Sequence, residues 1–157
     1  MQEALNLRVR EDDLTSADVQ QLIAEHLQGM QGNSPPGHVN ALAINALRTP
    51  NITFWTAWLE GALCGCGALK QLRPDAGEVK SMRTRPQYLR RGVAQRVLDT
   101  MTDEAQRRGY RALYLETGTG EAFEAAHGFY LRNGFTWCAS FGEYTATDFN
   151  VFMVKHL

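Results

Sequence analysis

The segment from Glu78 to Glu116 constrains the fold of this chain more than any other. Strands are predicted at its two ends, Glu78–Thr84 and Arg111–Glu116. Between them, Gly92–Arg108 predicts a helix, because its apolar side chains share one face. Those side chains are Ala94, Val97, Leu98, Met101 and Ala105. Gly109 suits the position that follows a helix. A strand, a helix and a second strand in this order imply two parallel strands joined by a crossover.

Further strands are indicated on both sides of this segment by alternating, β-branched and aromatic residues. They are predicted at Leu5–Arg10, Ile52–Leu59, Ala62–Leu72, Phe135–Phe141 and Phe149–Lys155. Helices are predicted after a cap at Thr15 or Ser16, at about Val39–Leu47 and at about Ala122–Arg132. Short turns at Glu60-Gly61 and at Pro74–Gly77 make part of the sheet antiparallel. We therefore predict one domain, residues 1–157, of the mixed α/β (α+β-like) class.

Composition excludes several classes of function. The chain has 157 residues, 44% of them hydrophobic, which suffices for one domain with a buried core. A net charge of −1 provides no basic surface for nucleic acid or an anionic membrane. No apolar run approaches the roughly 18 residues that a membrane span needs, and the N-terminus does not have the pattern of a secretory signal. We expect a soluble, cytoplasmic protein.

The three cysteines are too few for a disulfide framework. Cys64-Gly65-Cys66 could be half of a metal site, and a metal-binding interaction module built on it is one alternative function. No second Cys or His pair lies at a suitable spacing. We therefore favour small residues in a crowded strand, and we expect no bound metal.

The turn Leu89-Arg90-Arg91-Gly92-Val93-Ala94 is a candidate phosphate site. It opens the predicted helix, and a helix N-terminus presents free N–H groups and partial positive charge. Gly92 and Ala94 lack bulk, so a pyrophosphate could approach the backbone closely. Arg90 and Arg91 add positive charge. The other interpretation is an ordinary glycine at a helix start beside two solvated arginines.

The turn and a second motif together resemble the GNAT family of N-acetyltransferases. The family signature is Gln/Arg-x-x-Gly-x-Gly/Ala, and the matching positions here are Leu89, Gly92 and Ala94. The stretch Phe129-Tyr130-Leu131-Arg132-Asn133-Gly134-Phe135 is similar to the family's C-terminal Φ-Tyr-x-x-x-Gly-Phe segment. Leu89 departs from the signature, and Arg90 or Arg91 could compensate. The resemblance covers nearly the whole chain and implies a GNAT-type domain, with a central mixed, mostly antiparallel sheet flanked by helices.

The resemblance implies acetyl-CoA as co-substrate and direct attack of an amine on its thioester, without an acyl-enzyme. The implied cofactor contacts are Met82, Thr84, Leu89, Arg90, Arg91, Gly92, Val93, Ala94 and Gln95. Tyr130 matches the family tyrosine that can act as general acid, although it could also be a packed helix residue. Glu78 is the candidate base, with a solvent-facing acid as the alternative. Glu116 is a second candidate, and in many family members a water chain replaces the base.

The acceptor is implied to be a primary amine of a small molecule or peptide. In the family, the first two helices and their loop wall the acceptor pocket, which corresponds to Asn33–His38 here. His38, Trp55 and Glu143 are the predicted acceptor contacts, with Tyr144 beside them, although a lone loop histidine is more often solvated. A homodimer is common in the family. A non-catalytic acyl-CoA-binding or sensor domain of the same fold is the alternative function.

Overall fold

The computed structural model describes residues 6–28, 44–142 and 144–157. Its strands are β1 (Leu7–Glu11), β2 (Ile52–Leu59), β3 (Ala62–Arg73), β4 (Ala76–Thr84), β5 (Ala112–Gly118), β6 (Thr136–Cys138) and β7 (Asn150–His156). Its helices are α1 (Ala17–Gln28), α2 (Val93–Arg107) and α3 (Glu124–Arg132), and residues 44–47 are also helical. The sheet order is β1-β2-β3-β4-β5-β7-β6. The mixed α/β class is confirmed.

The predicted crossover is present. β4 and β5 pair in parallel, with Glu78 opposite Tyr114, and α2 connects them. β1 and β2 pair antiparallel, as do β5 with β7 and β6 with β7. The sheet is therefore mostly antiparallel with one parallel step, as predicted. No helix within the described ranges is long and apolar enough to cross a membrane.

Several predicted element boundaries differ from the structure, including the following two. The turn predicted at Pro74–Gly77 ends sooner, because β4 already begins at Ala76 and Gly77 is a paired strand residue. The strand predicted over Phe135–Phe141 covers only Thr136–Cys138. The N–H of Phe135 donates to Tyr130 O and so terminates α3. Phe141 lies outside the strand, and its ring centroid is 5.0 Å from that of Tyr114.

The helix ends follow from local chemistry. The Ser16 hydroxyl accepts the N–H of Val19 at 3.2 Å, so Ser16 caps α1. At the end of α3, Gly134 has φ 93°, its N–H donates to Leu131 O, and the N–H of Phe135 donates to Tyr130 O. This is a Schellman motif, in which glycine supplies the left-handed residue. Gly109, with φ 83°, ends α2 in the same way.

The described residues form two compact units, each with its own core. The first unit lies within Met1–Leu69 and Ser81–Met101, and the second comprises Lys70–Lys80 and Thr102–Leu157. Buried core residues of the first unit are Leu14, Val19, Leu22, Ile23, Phe54, Leu63, Val97 and Met101. Buried core residues of the second are Ala105, Leu113, Leu115, Tyr130, Phe135, Phe152 and Met153.

Gly65 allows β3 to lie against the start of α2 in the first unit. A Cβ at this position would lie 2.7 Å from Arg83 O and 2.8 Å from Val93 Cγ1. Because a backbone oxygen cannot rotate away, the added methyl must displace the strand or the helix. We expect Gly65→Ala to lower the free energy of unfolding by about 1–3 kcal/mol, measured by urea denaturation.

Gly128→Ala is the matched control for that prediction. Gly128 lies inside α3, and an added Cβ would contact only the flexible Arg132 side chain, at 3.1 Å. Alanine in a helix interior is more stable than glycine by about 0.5–1 kcal/mol, so this variant is expected to match or exceed the wild type. Equal stability of the Gly65→Ala variant and the wild type would contradict the close packing.

Candidate active site

The turn between β4 and α2 has two left-handed residues. A short 3₁₀ helix, Pro86–Tyr88, leads from the strand. Arg90 then has φ 65° and Gly92 has φ 82°. The N–H of Arg96 donates to Gly92 O at 3.0 Å, so Gly92 caps the helix and the Val93 and Ala94 N–H groups lie in its first turn. Left-handed residues in such turns bring N–H groups together into sites for anions.

Gly92 leaves open space at the helix start. A Cβ placed there meets no atom of the described residues within 4 Å, so packing against them does not require its small size. A positive φ and an open approach are what a phosphate needs from glycine. Arg90 and Arg91 are exposed beside it, and the Arg91 guanidinium lies 5.8 Å from the centroid of the Tyr88 ring. The turn therefore combines backbone donors, open space and positive charge.

The other predicted cofactor residues lie on either side of this turn. Met82 and Thr84 are half-buried at the end of β4. Val93 is buried, so only its backbone is available to a ligand at the turn. The side-chain amide of Gln95 donates to Asp99 at 2.9 Å. The Leu89 side chain is 56% exposed, so the residue that departs from the family signature projects into solvent.

Ser81 is a feature of β4 that the sequence did not indicate. It has φ 56° inside the strand, a conformation that non-glycine residues adopt rarely and at an energetic cost. The Cys66 thiol donates to Ser81 O at 3.3 Å. A left-handed residue re-aims the side chains that follow it in a strand. No sequence signal marks this site, because serine has no preference for the left-handed region.

Glu78 is buried and belongs to a polar cluster in the second unit. The carboxylate is only 2% exposed. The Tyr144 hydroxyl donates to Glu78 Oε2 at 2.5 Å, and Lys80 Nζ lies 3.5 Å from the same oxygen. Lys80 Nζ also donates to the Tyr144 hydroxyl at 3.1 Å. The alternative of a solvent-facing acid at Glu78 is therefore wrong. Sequence reasoning missed Lys80, although residues two apart in a strand point to the same face.

Aromatic rings surround this polar cluster. Phe141 lies against Tyr144 and Phe152 at centroid distances of 5.2 and 5.6 Å. Burial raises the pKa of the Tyr144 hydroxyl, and its hydrogen bond to the Glu78 carboxylate raises this pKa further. Glu116, the second candidate base, adds to that effect through its charge. Tyr144 is therefore a neutral donor to a carboxylate.

Tyr130 lies in the Schellman motif of α3. Its ring packs edge-to-face on Phe135 at 5.4 Å, the apolar contact that accompanies such a motif. The side chain is 7% exposed, and burial raises the pKa of its hydroxyl well above the usual range. The Tyr-x-x-x-Gly-Phe segment thus has a structural explanation, and the hydroxyl stays protonated at neutral pH.

The predicted acceptor contacts are described only in part. Trp55 is a buried residue of β2, 4% exposed. His38 and Glu143 lie outside the residues that the structure describes. Tyr144, predicted beside them, donates to Glu78.

The two thiols of Cys64-Gly65-Cys66 are buried hydrogen-bond donors. Cys64 Sγ donates to Ala57 O and Cys66 Sγ to Ser81 O, both at 3.3 Å. Burial raises the pKa of Cys66 to about 12. Metal ligation requires thiolates, and no group of metal-ligating side chains occurs in the described part of the chain. These contacts support small residues in a crowded strand over a metal-binding module.

Residues 19–135 match the model of the acetyltransferase (GNAT) family. The uncharacterized N-acetyltransferase YsnE of Bacillus subtilis (strain 168) is 46% identical over 151 residues, which cover 96% of this chain and 100% of that protein. The IAA acetyltransferase of Azospirillum brasilense is 35% identical over 150 residues, 94% of this chain and 95% of that protein.

Solved structures agree with these relatives on the fold. An acetyltransferase from Streptococcus agalactiae 2603 superposes with a TM-score of 0.76 at 17% identity, covering 97% of this chain and 99% of that one. A GNAT family acetyltransferase from Elizabethkingia anophelis, with acetyl-CoA bound, gives a TM-score of 0.69 at 13% identity, covering 97% and 99%. At these identities the likeness concerns the fold alone.

Proposed function

The chain belongs to the acetyltransferase (GNAT) family, and on that premise we propose that it moves an acetyl group from acetyl-CoA to a primary amine of a small molecule or peptide. Bound acetyl-CoA supplies a thioester, an activated acetyl donor. The amine attacks that thioester directly, so the protein provides binding, orientation and proton transfer.

One observation carries the proposal: the open backbone at Gly92. The left-handed glycine starts α2, its Cβ position has no atom of the described residues within 4 Å, and Arg90 and Arg91 are exposed beside it. A pyrophosphate fits such a helix start because N–H groups and the helix dipole both favour anions. The exposed Leu89 side chain does not take part, so backbone donors and the two arginines carry the binding.

Glu78 is proposed to take the proton of the acceptor amine. An amine is a nucleophile only after deprotonation, and a carboxylate is a suitable base when it is ionised and positioned. Glu78 has the positioning, because Lys80 and Tyr144 hold one of its oxygens. Tyr130 is proposed as the acid for the leaving thiolate, supported by its position in the Tyr-x-x-x-Gly-Phe segment.

The acceptor is best sought among amines, with IAA added because one relative is named for it. We place the activity in the cytoplasm, supported by Cys64, Cys66 and Cys138, which are free thiols of the kind that a reducing compartment preserves.

Calorimetry tests the first step of the proposal. Titration of acetyl-CoA into the folded protein is expected to show saturable, one-to-one binding that free CoA competes for and acetate does not. Circular dichroism establishes folding in the same sample. An absence of binding to folded protein would rule out the proposal, whereas binding without CoA release in the presence of any acceptor would favour the acyl-CoA sensor.

A further inference from the structure

We infer that Tyr144 and Lys80 are positioning residues that hold the Glu78 carboxylate by Oε2 and turn it so that Oε1 is left for the acceptor amine. The inference deepens the proposed function and rests on the proposed role of Glu78 as base. It concerns side chains of the second unit only, where Glu78 and Lys80 lie on β4 and Tyr144 precedes β7.

The two oxygens of the Glu78 carboxylate have different contacts. Tyr144 donates to Oε2 at 2.5 Å, and Lys80 Nζ approaches the same atom at 3.5 Å. Glu78 Oε1 accepts no hydrogen bond from the residues that the structure describes. Both described donors thus act on one oxygen, Oε2. A base that is fixed by one oxygen and accepts a proton on the other keeps its orientation through the proton transfer.

The two donors also offset the cost of burying the charge. A buried charge is costly unless it is paired and hydrogen-bonded. The Glu78 carboxylate is 2% exposed, and it has both a hydrogen bond from Tyr144 and a neighbouring cation, Lys80. The raised pKa of Tyr144 keeps the proton on the donor.

The other titratable neighbours do not take this role. Tyr114 pairs with Glu78 across β4 and β5, and its ring lies 5.7 Å from the Arg73 guanidinium. Glu116 is a further acid on β5, and its negative charge contributes to the raised pKa of Tyr144. Among the described residues, only Tyr144 and Lys80 donate hydrogen bonds to the Glu78 carboxylate.

Aromatic neighbours pack against the Tyr144 ring, and its hydroxyl points to the Glu78 carboxylate. Its ring lies 5.2 Å from the Phe141 ring and 5.7 Å from the Phe152 ring. Lys80 Nζ lies 5.8 Å from the centroid of the Tyr144 ring. Replacing Tyr144 with phenylalanine would keep these ring contacts and delete only the hydroxyl, which makes Tyr144→Phe a selective test.

The test separates kcat from KM for acetyl transfer. A base that is no longer held in position transfers the proton less often in the bound complex, so kcat falls while substrate binding is retained. Removing a hydrogen bond to a charged group costs about a factor of ten, so we expect Tyr144→Phe to lower kcat about tenfold and to leave the KM for acetyl-CoA nearly unchanged. Lys80→Met is expected to lower kcat in the same way.

Tyr114→Phe is the matched control, because Tyr114 is the cross-strand neighbour of Glu78 but its hydroxyl donates no hydrogen bond to the Glu78 carboxylate within the described residues; its kcat is expected to match the wild type. Thermal unfolding establishes that each variant is folded, and Lys80→Met decides the question if Tyr144→Phe does not fold. Wild-type kcat in both Tyr144→Phe and Lys80→Met would overturn the inference. If Glu78→Gln nevertheless lost activity, the proposed function would stand.

Discussion

Replacing Glu78 with glutamine lowers the kcat of acetyl transfer by about 10²–10⁴-fold, the usual contribution of a positioned general base. Glutamine preserves the size of the side chain and can still accept a hydrogen bond from Tyr144, but it cannot take a proton. The Kd for acetyl-CoA is expected to stay unchanged, since the cofactor turn belongs to the first unit. Steady-state kinetics and calorimetry on the same preparation measure both quantities.

Glu116→Gln is the control for this prediction. Glu116 is the other candidate base, a half-buried acid on β5. We expect this variant to keep most of the wild-type kcat. If Glu116→Gln lost the activity and Glu78→Gln kept it, the roles of the two acids would be reversed. If both kept it, a water chain would be the remaining route for the proton.

Replacing Gly92 with valine raises the Kd for acetyl-CoA by about 10–100-fold, because hydrogen bonds to a charged phosphate are lost. Valine is strained at φ 82°, and its methyl groups would fill the open space at the start of α2. The backbone N–H groups of Val93 and Ala94 then become less accessible to an anion. Calorimetry measures Kd, and kcat at saturating acetyl-CoA is expected to change less.

Gly109→Val separates backbone strain from loss of the binding site. Gly109 has φ 83°, an equally open Cβ position, and ends the same helix. The two valine variants are expected to lower Tm similarly, but Gly109→Val is expected to bind acetyl-CoA with the wild-type Kd. Wild-type affinity of Gly92→Val, or an equal loss of affinity in both variants, would show that the turn does not bind the phosphate.

The elements with strong periodicity could be predicted from the sequence, and those shaped by helix caps could not. The bounds of β2 match the prediction, and α2 differs by one residue at each end, because alternation and an apolar helix face are local signals. Phe135 favours a strand locally because it is aromatic. Its N–H instead closes the Schellman motif, and the strand starts at Thr136.

In the candidate site, too, local features could be predicted from the sequence and long-range contacts could not. The turn at Gly92 could be predicted because every part of it lies within a few residues of chain. Tyr144 lies 66 residues from Glu78, so only the tertiary fold could show that its hydroxyl reaches that carboxylate. The left-handed Ser81 could not be predicted either, because non-glycine residues adopt this conformation rarely and serine does not favour it.

Amine-dependent CoA release from acetyl-CoA tests the central claim most directly. The wild-type protein is screened with amines, amino acids, peptides and IAA, and each product is identified by mass spectrometry. The account predicts at least one amine that releases CoA in equal amount to its N-acetylated product, with release lost in Glu78→Gln. Folded protein that binds acetyl-CoA but acetylates no acceptor on the nitrogen would contradict it.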